Sequence, residues 1–143
     1  PALWDSITTG PSHASYANYK GTSALSEPES KALADLANST NWTMTISYHS
    51  MGNLVYWDFA GNKVAEQSQA LAELVTGITG YRTNRSSGKG GFKDYVQIKD
   101  SPIPSLTIEV GSVACPMPAS EFGNVWNSNQ AILAALAAYA ADH

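Results

Sequence analysis

The stretch TMTISYHSMGNLVYW, residues Thr43 to Trp57, decides the fold class. Its first half alternates apolar and polar residues and is rich in β-formers, which predicts a strand that ends near His49. Turn-prone residues around Gly52 follow, and NLVYW then predicts a second short strand. One histidine therefore stands at the end of a predicted strand, directly before a turn. The remaining chain has to decide whether this histidine is structural or catalytic.

Helical patterns flank these strands. The segment SEPES predicts a helix start in which Ser26 is the N-cap and Glu29 completes a capping box. Residues 62–79 keep their apolar side chains on one helical face, and Gly80 predicts the C-cap of that helix. The residues after it, RTNRSSGKGG, predict a polar, glycine-rich loop.

The last third of the chain predicts one more strand and one more helix. The segment SLTIEV predicts a strand whose two faces alternate, with Leu106, Ile108 and Val110 on one face and Ser105, Thr107 and Glu109 on the other. Ser120 predicts the cap of a long alanine-rich helix from Glu121 to Ala141. Strands that alternate with helices indicate an α/β layered fold.

Composition excludes several function classes. The 143 residues form one domain or a piece of one. The net charge of −4 reflects 12 acidic and 8 basic residues without a basic cluster, so a nucleic-acid partner is not expected. No apolar run approaches the ~20 residues that span a bilayer, so a membrane partner is not expected either. The single cysteine, Cys115, excludes an internal disulfide and is interpreted as a buried small apolar residue.

Two titratable residues stand at positions suited to chemistry. His49 ends one predicted strand, and Glu109 lies in another between apolar neighbours. Burying a carboxylate is costly unless it is paired, hydrogen-bonded or bound to a metal. Because functional groups of α/β sheets collect at the carboxyl ends of strands, both residues are expected to face one cleft. The alternatives are a structural histidine at 49 and a solvent-facing strand residue at 109.

Four segments in order carry a family resemblance: YANYKGTSALSEPESKAL, ISYHSMGNLVYW, GKGGFKDY and IPSLTIEVG. With them the chain resembles the zinc carboxypeptidase family, most closely the bacterial branch that cleaves γ-D-glutamyl-diamino acid bonds in peptidoglycan. The resemblance runs from about residue 15 to the end of the last helix. It implies an α/β fold in which residues 1–143 are the C-terminal part of a mixed twisted sheet flanked by helices.

The resemblance also implies site roles. His49 falls where the family places its third zinc ligand, and Glu109 falls where it places the general base that deprotonates a zinc-bound water. Lys93 falls at the pocket for the residue after the cleaved bond, where it would bind an anionic group such as a carboxylate of diaminopimelate. The alternative for Lys93 is a solvated surface lysine, and Asp94 is expected to orient the loop. Three further basic residues are interpreted as solvated loop charges: Arg82, Arg85 and Lys89.

Several family features are absent from the sequence. The family's first two zinc ligands form a His-x-x-Glu motif, but the three histidines, His13, His49 and His143, do not occur in one. The Asn-Arg pair that the family uses shortly before Phe-Pro is also missing, and the first residues, PALW, resemble those directly after that pair. No tyrosine lies between Arg82 and Phe92 at the position of the family's substrate lid.

These absences lead to an expectation about the chain as a unit. The chain is expected to be the C-terminal half of a single peptidase domain and a piece of a longer protein, to be inactive alone, and to bind zinc specifically only within the intact protein. Its expected partners are a peptide substrate and, through an exposed sheet edge, the missing N-terminal half or a second copy. The alternative function is a non-catalytic domain that binds cell-wall peptides or packs against a partner. A Ser/His/Asp hydrolase is disfavoured because no Gly-x-Ser-x-Gly elbow occurs.

Overall fold

Four short strands form one mixed sheet in the computed structural model, which describes residues 4–8, 10–17, 19–85, 90–112 and 114–143. The strands are β1 (Thr45–His49), β2 (Leu54–Asp58), β3 (Arg82–Arg85) and β4 (Ser105–Glu109), and their order is β1-β4-β2-β3. The pairs β1–β4 and β2–β3 are parallel, whereas β2 and β4 are antiparallel. The carboxyl ends of β1 and β4 therefore meet at one edge of the sheet.

Within the described residues, five helices flank the sheet: α1 (Pro28–Asn38), α2 (Ala65–Thr79), α3 (Phe92–Ile98), α4 (Phe122–Asn129) and α5 (Ile132–Asp142). Short 3₁₀ turns occur at Trp4–Ser6 and Ala119–Glu121. Together the sheet and helices confirm the predicted α/β class. Among the described residues, no helix has both the length and the apolar character needed to cross a membrane.

The main core lies between the sheet and α2 with α5. Leu106 and Ile108 of β4 are fully buried against Leu71 and Val75 of α2 and against Ile132 of α5. The alternation predicted for β4 is confirmed, since Val110 joins this same cluster. A smaller core forms between α1 and α3, from Ala37, Val96 and Ile103. The face of the sheet that carries Glu109 is therefore covered less completely than the face toward α2.

The capping box predicted for the first helix is wrong. The helix α1 begins at Pro28, and its N-cap residue, Glu27, makes no side-chain capping bond. The hydroxyl of Ser26 instead accepts the backbone N–H of Thr22 at 3.0 Å and donates to the Glu27 carboxylate at 3.0 Å. The Ser26 hydroxyl is thus bonded within the turn before α1, where Leu25 has a φ of 61°, and it does not cap the helix.

The predicted continuous C-terminal helix is also wrong, because α4 ends at Asn129 and α5 begins at Ile132. The Asn129 side chain donates to the Val125 carbonyl at 2.8 Å, which competes with regular helical bonding at the break. Ser120 lies in the preceding 3₁₀ turn and caps no helix. The other predicted helix begins three residues late, at Ala65, but ends as expected: Gly80 has a φ of 71° and its N–H bonds the Thr76 carbonyl.

Part of the predicted polar loop is a strand. Arg82–Arg85 pairs in parallel with β2 although all four of its residues are exposed. Pairing with a formed neighbour outweighs the unfavourable composition, because strand propensity depends strongly on context. The following loop residues 86–89, including Lys89, lie outside the described residues. The helix α3, which the sequence interpretation did not predict, then begins at Phe92.

Candidate active site

His49 and Glu109 are direct neighbours at the carboxyl ends of β1 and β4. The two residues are paired in the parallel register, and the backbone N–H of Val110 donates to the His49 carbonyl at 2.8 Å. Adjacent strands lie about 4.8 Å apart, and residues paired in register direct their side chains to the same face. His49 is exposed and Glu109 is half-buried. The imidazole and the carboxylate therefore share one face and one edge of the sheet.

A short loop fixes these strand ends relative to each other. The backbone N–H groups of Gly52 and Asn53 donate to the Gly111 carbonyl at 2.7 and 3.2 Å. Gly111 has a φ of 73°, a conformation that favours glycine, and a β-carbon there would force the Met117 side chain to move. The segment after His49 is thus tied to the segment after Glu109. This arrangement positions both side chains on backbone that is hydrogen-bonded across the edge.

The described residues do not complete a catalytic zinc site. Catalytic zinc takes about three protein ligands and keeps one position open. Within the described part of the chain, no group of three or more histidine, cysteine, aspartate or glutamate side chains could hold a metal ion. His49 can offer one imidazole nitrogen, and Glu109 can accept a proton or bind a metal. The donor set of this chain is therefore one part of a zinc site rather than a whole one.

The structure does not bring Lys93 to these two residues. Its ammonium donates to the Asp58 carbonyl at 3.2 Å, to the Gln97 side chain at 3.2 Å and to the Asp94 carboxylate. Leu54, not Asp58, pairs with Glu109, and four residues of strand separate these two positions by about 13 Å. Lys93 therefore lies toward the far end of the sheet from His49 and Glu109.

Burial determines the state of Lys93. Only 3% of this residue is exposed, so the solvated surface lysine considered as an alternative is wrong. Burial lowers the pKa of the Lys93 ammonium below its ordinary value, and the hydrogen bond to Asp94 with the nearby charges of Asp94 and Asp58 opposes part of this effect. Since the ammonium has three acceptors within the chain, the geometry gives no support to a role in binding a substrate anion.

The neighbours of Lys93 have structural contacts as well. Asp94 accepts the backbone N–H of Gly91 at 2.8 Å, in line with its expected role in orienting the loop. Arg82 and Arg85 are exposed as expected. Arg85 is not merely solvated, however, because its guanidinium pairs with the Asp58 carboxylate at 3.2 Å and lies 5.8 Å from the centre of the Trp57 ring.

Two neighbours of the site were missed by the sequence interpretation. Cys115 is exposed rather than buried, and its thiol lies 3.9 Å from the carbonyl oxygen of Ser50, the residue after His49. Glu121 lines a cavity that also contacts Gly111. No local motif marks either residue. Cys115 comes near the residue after His49 because the chain turns back across the sheet edge after β4.

The sequence matches the family described as Peptidase_M14, zinc carboxypeptidase, over residues 1–132. The match covers far more than half of the chain, and the protein belongs to the zinc carboxypeptidase family. The α/β sheet and the paired His49 and Glu109 are consistent with that membership.

Two relatives illustrate the similarity. The chain is 33% identical over 128 residues to gamma-D-glutamyl-L-diamino acid endopeptidase 1 of Lysinibacillus sphaericus, which covers 88% of this chain and 32% of that protein. It is 28% identical over 137 residues to the uncharacterized protein YqgT of Bacillus subtilis (strain 168), which covers 93% of this chain and 36% of that protein. The chain thus spans about one third of the length of either relative.

Proposed function

We propose that this chain forms part of a zinc-dependent peptidase that hydrolyses the bond between γ-D-glutamate and a diamino acid in peptidoglycan stem peptides. The observation that carries the proposal is the in-register pairing of His49 with Glu109 on one face of the sheet. Membership of the zinc carboxypeptidase family supports hydrolysis of a peptide bond. The name of the Lysinibacillus sphaericus relative supports the substrate class.

Glu109 is the proton carrier in this proposal. Its carboxylate takes a proton from the water whose oxygen bonds to the scissile carbonyl carbon, and it returns that proton to the leaving amine when the C–N bond breaks. Half-burial beside β1 and β2 holds the carboxylate in place while leaving one side open to substrate. Zinc, when bound, polarises the carbonyl and brings the pKa of the attacking water toward about 7, which suits a base of modest strength.

His49 is a zinc ligand in this proposal, and the remaining ligands come from polypeptide outside the described residues. The strand β1 pairs only with β4 among the described strands, so its other edge is open at the position of His49. Apolar side chains that border cavities along this edge are exposed, namely Leu36, Trp42, Tyr48, Phe122, Trp126 and Leu133. An open strand edge beside apolar side chains suits a further strand with its own packing elements.

A second copy of the chain does not complete the site as well as a different segment does. Two copies related by a two-fold axis would pair β1 with β1 antiparallel, which places the two copies of His49 at opposite ends of the five-residue strand, about 13 Å apart. A parallel strand added to β1 would end beside His49 and could present ligands there. An N-terminal half of the same domain is therefore the proposed occupant of this edge.

Metal analysis and a hydrolysis assay test this proposal. After dialysis the chain alone is expected to hold less than one zinc per molecule and to leave a γ-D-glutamyl-diaminopimelate peptide intact. Addition of a polypeptide that carries the His-x-x-Glu half is expected to restore both zinc binding and hydrolysis. Stoichiometric zinc with peptidase activity in the chain alone would overturn the incomplete site. A monodisperse monomer at high concentration, with and without that added half, would overturn pairing through β1.

The second candidate is a non-catalytic domain that binds cell-wall peptides or packs against a partner. It is favoured by the lack, among the described residues, of a group able to hold a metal. In that case the chain would bind the stem peptide without zinc, and Glu109→Gln would leave peptide binding unchanged. A His-x-x-Glu motif and an Asn-Arg pair in the coding sequence that precedes this chain would instead favour the peptidase.

A further inference from the structure

Asn53 connects three strands at the edge of the sheet where Glu109 ends β4. Its backbone N–H donates to the Gly111 carbonyl at 3.2 Å, and its carbonyl accepts the backbone N–H of Arg82, the first residue of β3, at 3.2 Å. The next residue, Leu54, begins β2 and pairs in register with Glu109. One residue of the loop after β1 therefore bonds to the segment after β4 and to the start of β3, and it leads directly into β2.

The backbone of Asn53 has an unfavourable conformation. Its φ of 48° lies in the left-handed region, which crowds the β-carbon of most residues and which asparagine tolerates better than most. Within the described residues, Leu25 is the other non-glycine residue with a positive φ, 61°, and it lies in the turn before α1. Strain of this kind persists only where surrounding contacts hold it, and it is often found at functional sites. The bonds of Asn53 to Gly111 and Arg82 are such contacts.

The loop that Asn53 ends lies directly against Glu109. A β-carbon at Gly52 would lie only 3.8 Å from the Glu109 β-carbon. The backbone N–H of Gly52 also donates to the Gly111 carbonyl, at 2.7 Å, so two successive N–H groups converge on one oxygen. Such convergence is typical of a turn and not of an extended strand. Since the residue between Glu109 and Gly111 donates to the His49 carbonyl, both residues after Glu109 are bonded to the segment 49–53.

We propose that Asn53 is a positioning residue, whose left-handed backbone holds the end of β4 with Glu109 against the end of β1 with His49. This inference rests on the proposed function, because it assigns Asn53 a share in the geometry of that reaction. The role belongs to the backbone, since the Asn53 side-chain amide makes no hydrogen bond within the described residues. A displacement of about 1 Å in a catalytic site can lower the rate about 10²-fold, so this turn limits the rate when it is relaxed.

Substitutions at position 53 of the intact peptidase distinguish a role of the backbone from a role of the side chain. Glycine adopts a positive φ freely, alanine does so poorly, and β-branched valine does so worst. We expect kcat to fall in the order Asn53→Gly, Asn53→Ala, Asn53→Val, with a loss of about 10²-fold in the last. KM should stay within about twofold, because the misplaced groups act in the transition state. Leu25→Val is the matched control, at a positive φ away from the site, and should leave kcat unchanged.

Amide hydrogen exchange of the chain tests the same inference without turnover. The amides of Gly52 and Val110 bond across the ends of β1 and β4. In Asn53→Val both should exchange about tenfold or more faster than in the native chain, because the turn that aligns their acceptors is relaxed. Leu25→Val should leave the exchange of these two amides unchanged. If Asn53→Val does not fold, the same two amides are compared between Asn53→Ala and Asn53→Gly, and the alanine variant should exchange faster.

Full kcat in Asn53→Val, a loss of kcat in Asn53→Gly as large as in Asn53→Ala, or unchanged exchange at Gly52 and Val110 would overturn the inference. The two measurements also separate it from the proposed function. If the intact protein cleaves no stem peptide while exchange at these amides rises in Asn53→Val, the proposed function alone is overturned. If the intact protein cleaves the peptide and Asn53→Val cleaves it equally well, the positioning role alone is overturned.

Discussion

The surroundings of the two ends of β4 hold charged side chains in opposite situations. Near the amino end, Ser105 is fully buried, and the Lys93 ammonium of α3 is enclosed by three acceptors of its own chain. At the carboxyl end, Glu109 is half-buried beside an exposed His49. A charge whose partners are all intramolecular stabilises the fold, whereas a charge without them is available to a ligand. The difference distinguishes the enclosed ammonium of Lys93 from the more accessible carboxylate of Glu109, for which a catalytic role is proposed.

The largest expected effect concerns the carboxyl end. In the intact peptidase, Glu109→Gln should lower kcat about 10²–10⁴-fold, because the amide cannot accept the proton of the attacking water. Steady-state hydrolysis of the stem peptide measures the change, and the thermal midpoint should hardly move because Glu109 is only half-buried. Lys93→Met, near the amino end of β4, is the comparison variant in the same hydrolysis assay. If Glu109→Gln retained full kcat, the proposed catalytic role of Glu109 would be wrong.

The next effect concerns the amino end. Lys93→Ala should lower the free energy of unfolding by about 3–5 kcal/mol, because Asp94 would remain buried without its cation. Urea unfolding followed by circular dichroism measures this loss. The double variant Lys93→Met, Asp94→Asn should lose less, since it leaves no buried unpaired charge and keeps an acceptor for the Gly91 N–H. If Lys93→Ala left the free energy of unfolding unchanged, a structural role for this ammonium would be contradicted.

A smaller effect of the buried Lys93 is expected in the pH dependence of stability. Burial lowers the pKa of Lys93 below its ordinary value of 10.5, so the folded protein releases this proton before the unfolded chain does. The unfolded state then binds more protons, and stability rises with pH between the folded-state pKa and 10.5. The difference in unfolding free energy between the native chain and Lys93→Met should rise over this window. A flat difference would show that the ammonium is not desolvated.

The smallest effect is expected for an exposed partner of the same cluster. Arg85 pairs with Asp58, but 76% of the Arg85 side chain is exposed. Surface ion pairs contribute about 0.2–1 kcal/mol, so Arg85→Ala should reduce the free energy of unfolding by no more than that. High salt should reduce the effect further, while leaving the loss in Lys93→Ala largely intact. If Arg85→Ala lost as much free energy of unfolding as Lys93→Ala, the distinction between buried and exposed charges would be contradicted.

Most strands could be predicted from the sequence because their patterns are local. Alternation around His49 and in SLTIEV gave the correct strands, and the shared position of His49 and Glu109 at strand ends placed them at one edge. The strand Arg82–Arg85 could not be predicted, because its pairing with β2 is a tertiary contact of a polar segment. The helix break after Asn129 could not be predicted either, because it involves a side-chain hydrogen bond and no glycine or proline marks it in the sequence.

The site was predictable only in part for the same reason. The resemblance of GGFKDY to a pocket segment gave Lys93 a ligand-binding role, but burial depends on what surrounds the side chain in three dimensions. Asp58 lies 35 residues away on β2, and Gln97 lies one turn further along α3, a helix that the sequence interpretation did not predict, so the enclosure of the ammonium was not foreseen.

The open edge of β1 affects how the isolated chain behaves in solution. Backbone N–H and C=O groups of Thr45–His49 that face away from β4 have no strand to bond among the described residues, and aromatic side chains border them. Any extended peptide that encounters this edge can add to it, including one from an incompletely folded neighbour. We therefore expect the isolated chain to aggregate faster at higher concentration, and dilution or a holding chaperone to slow this aggregation.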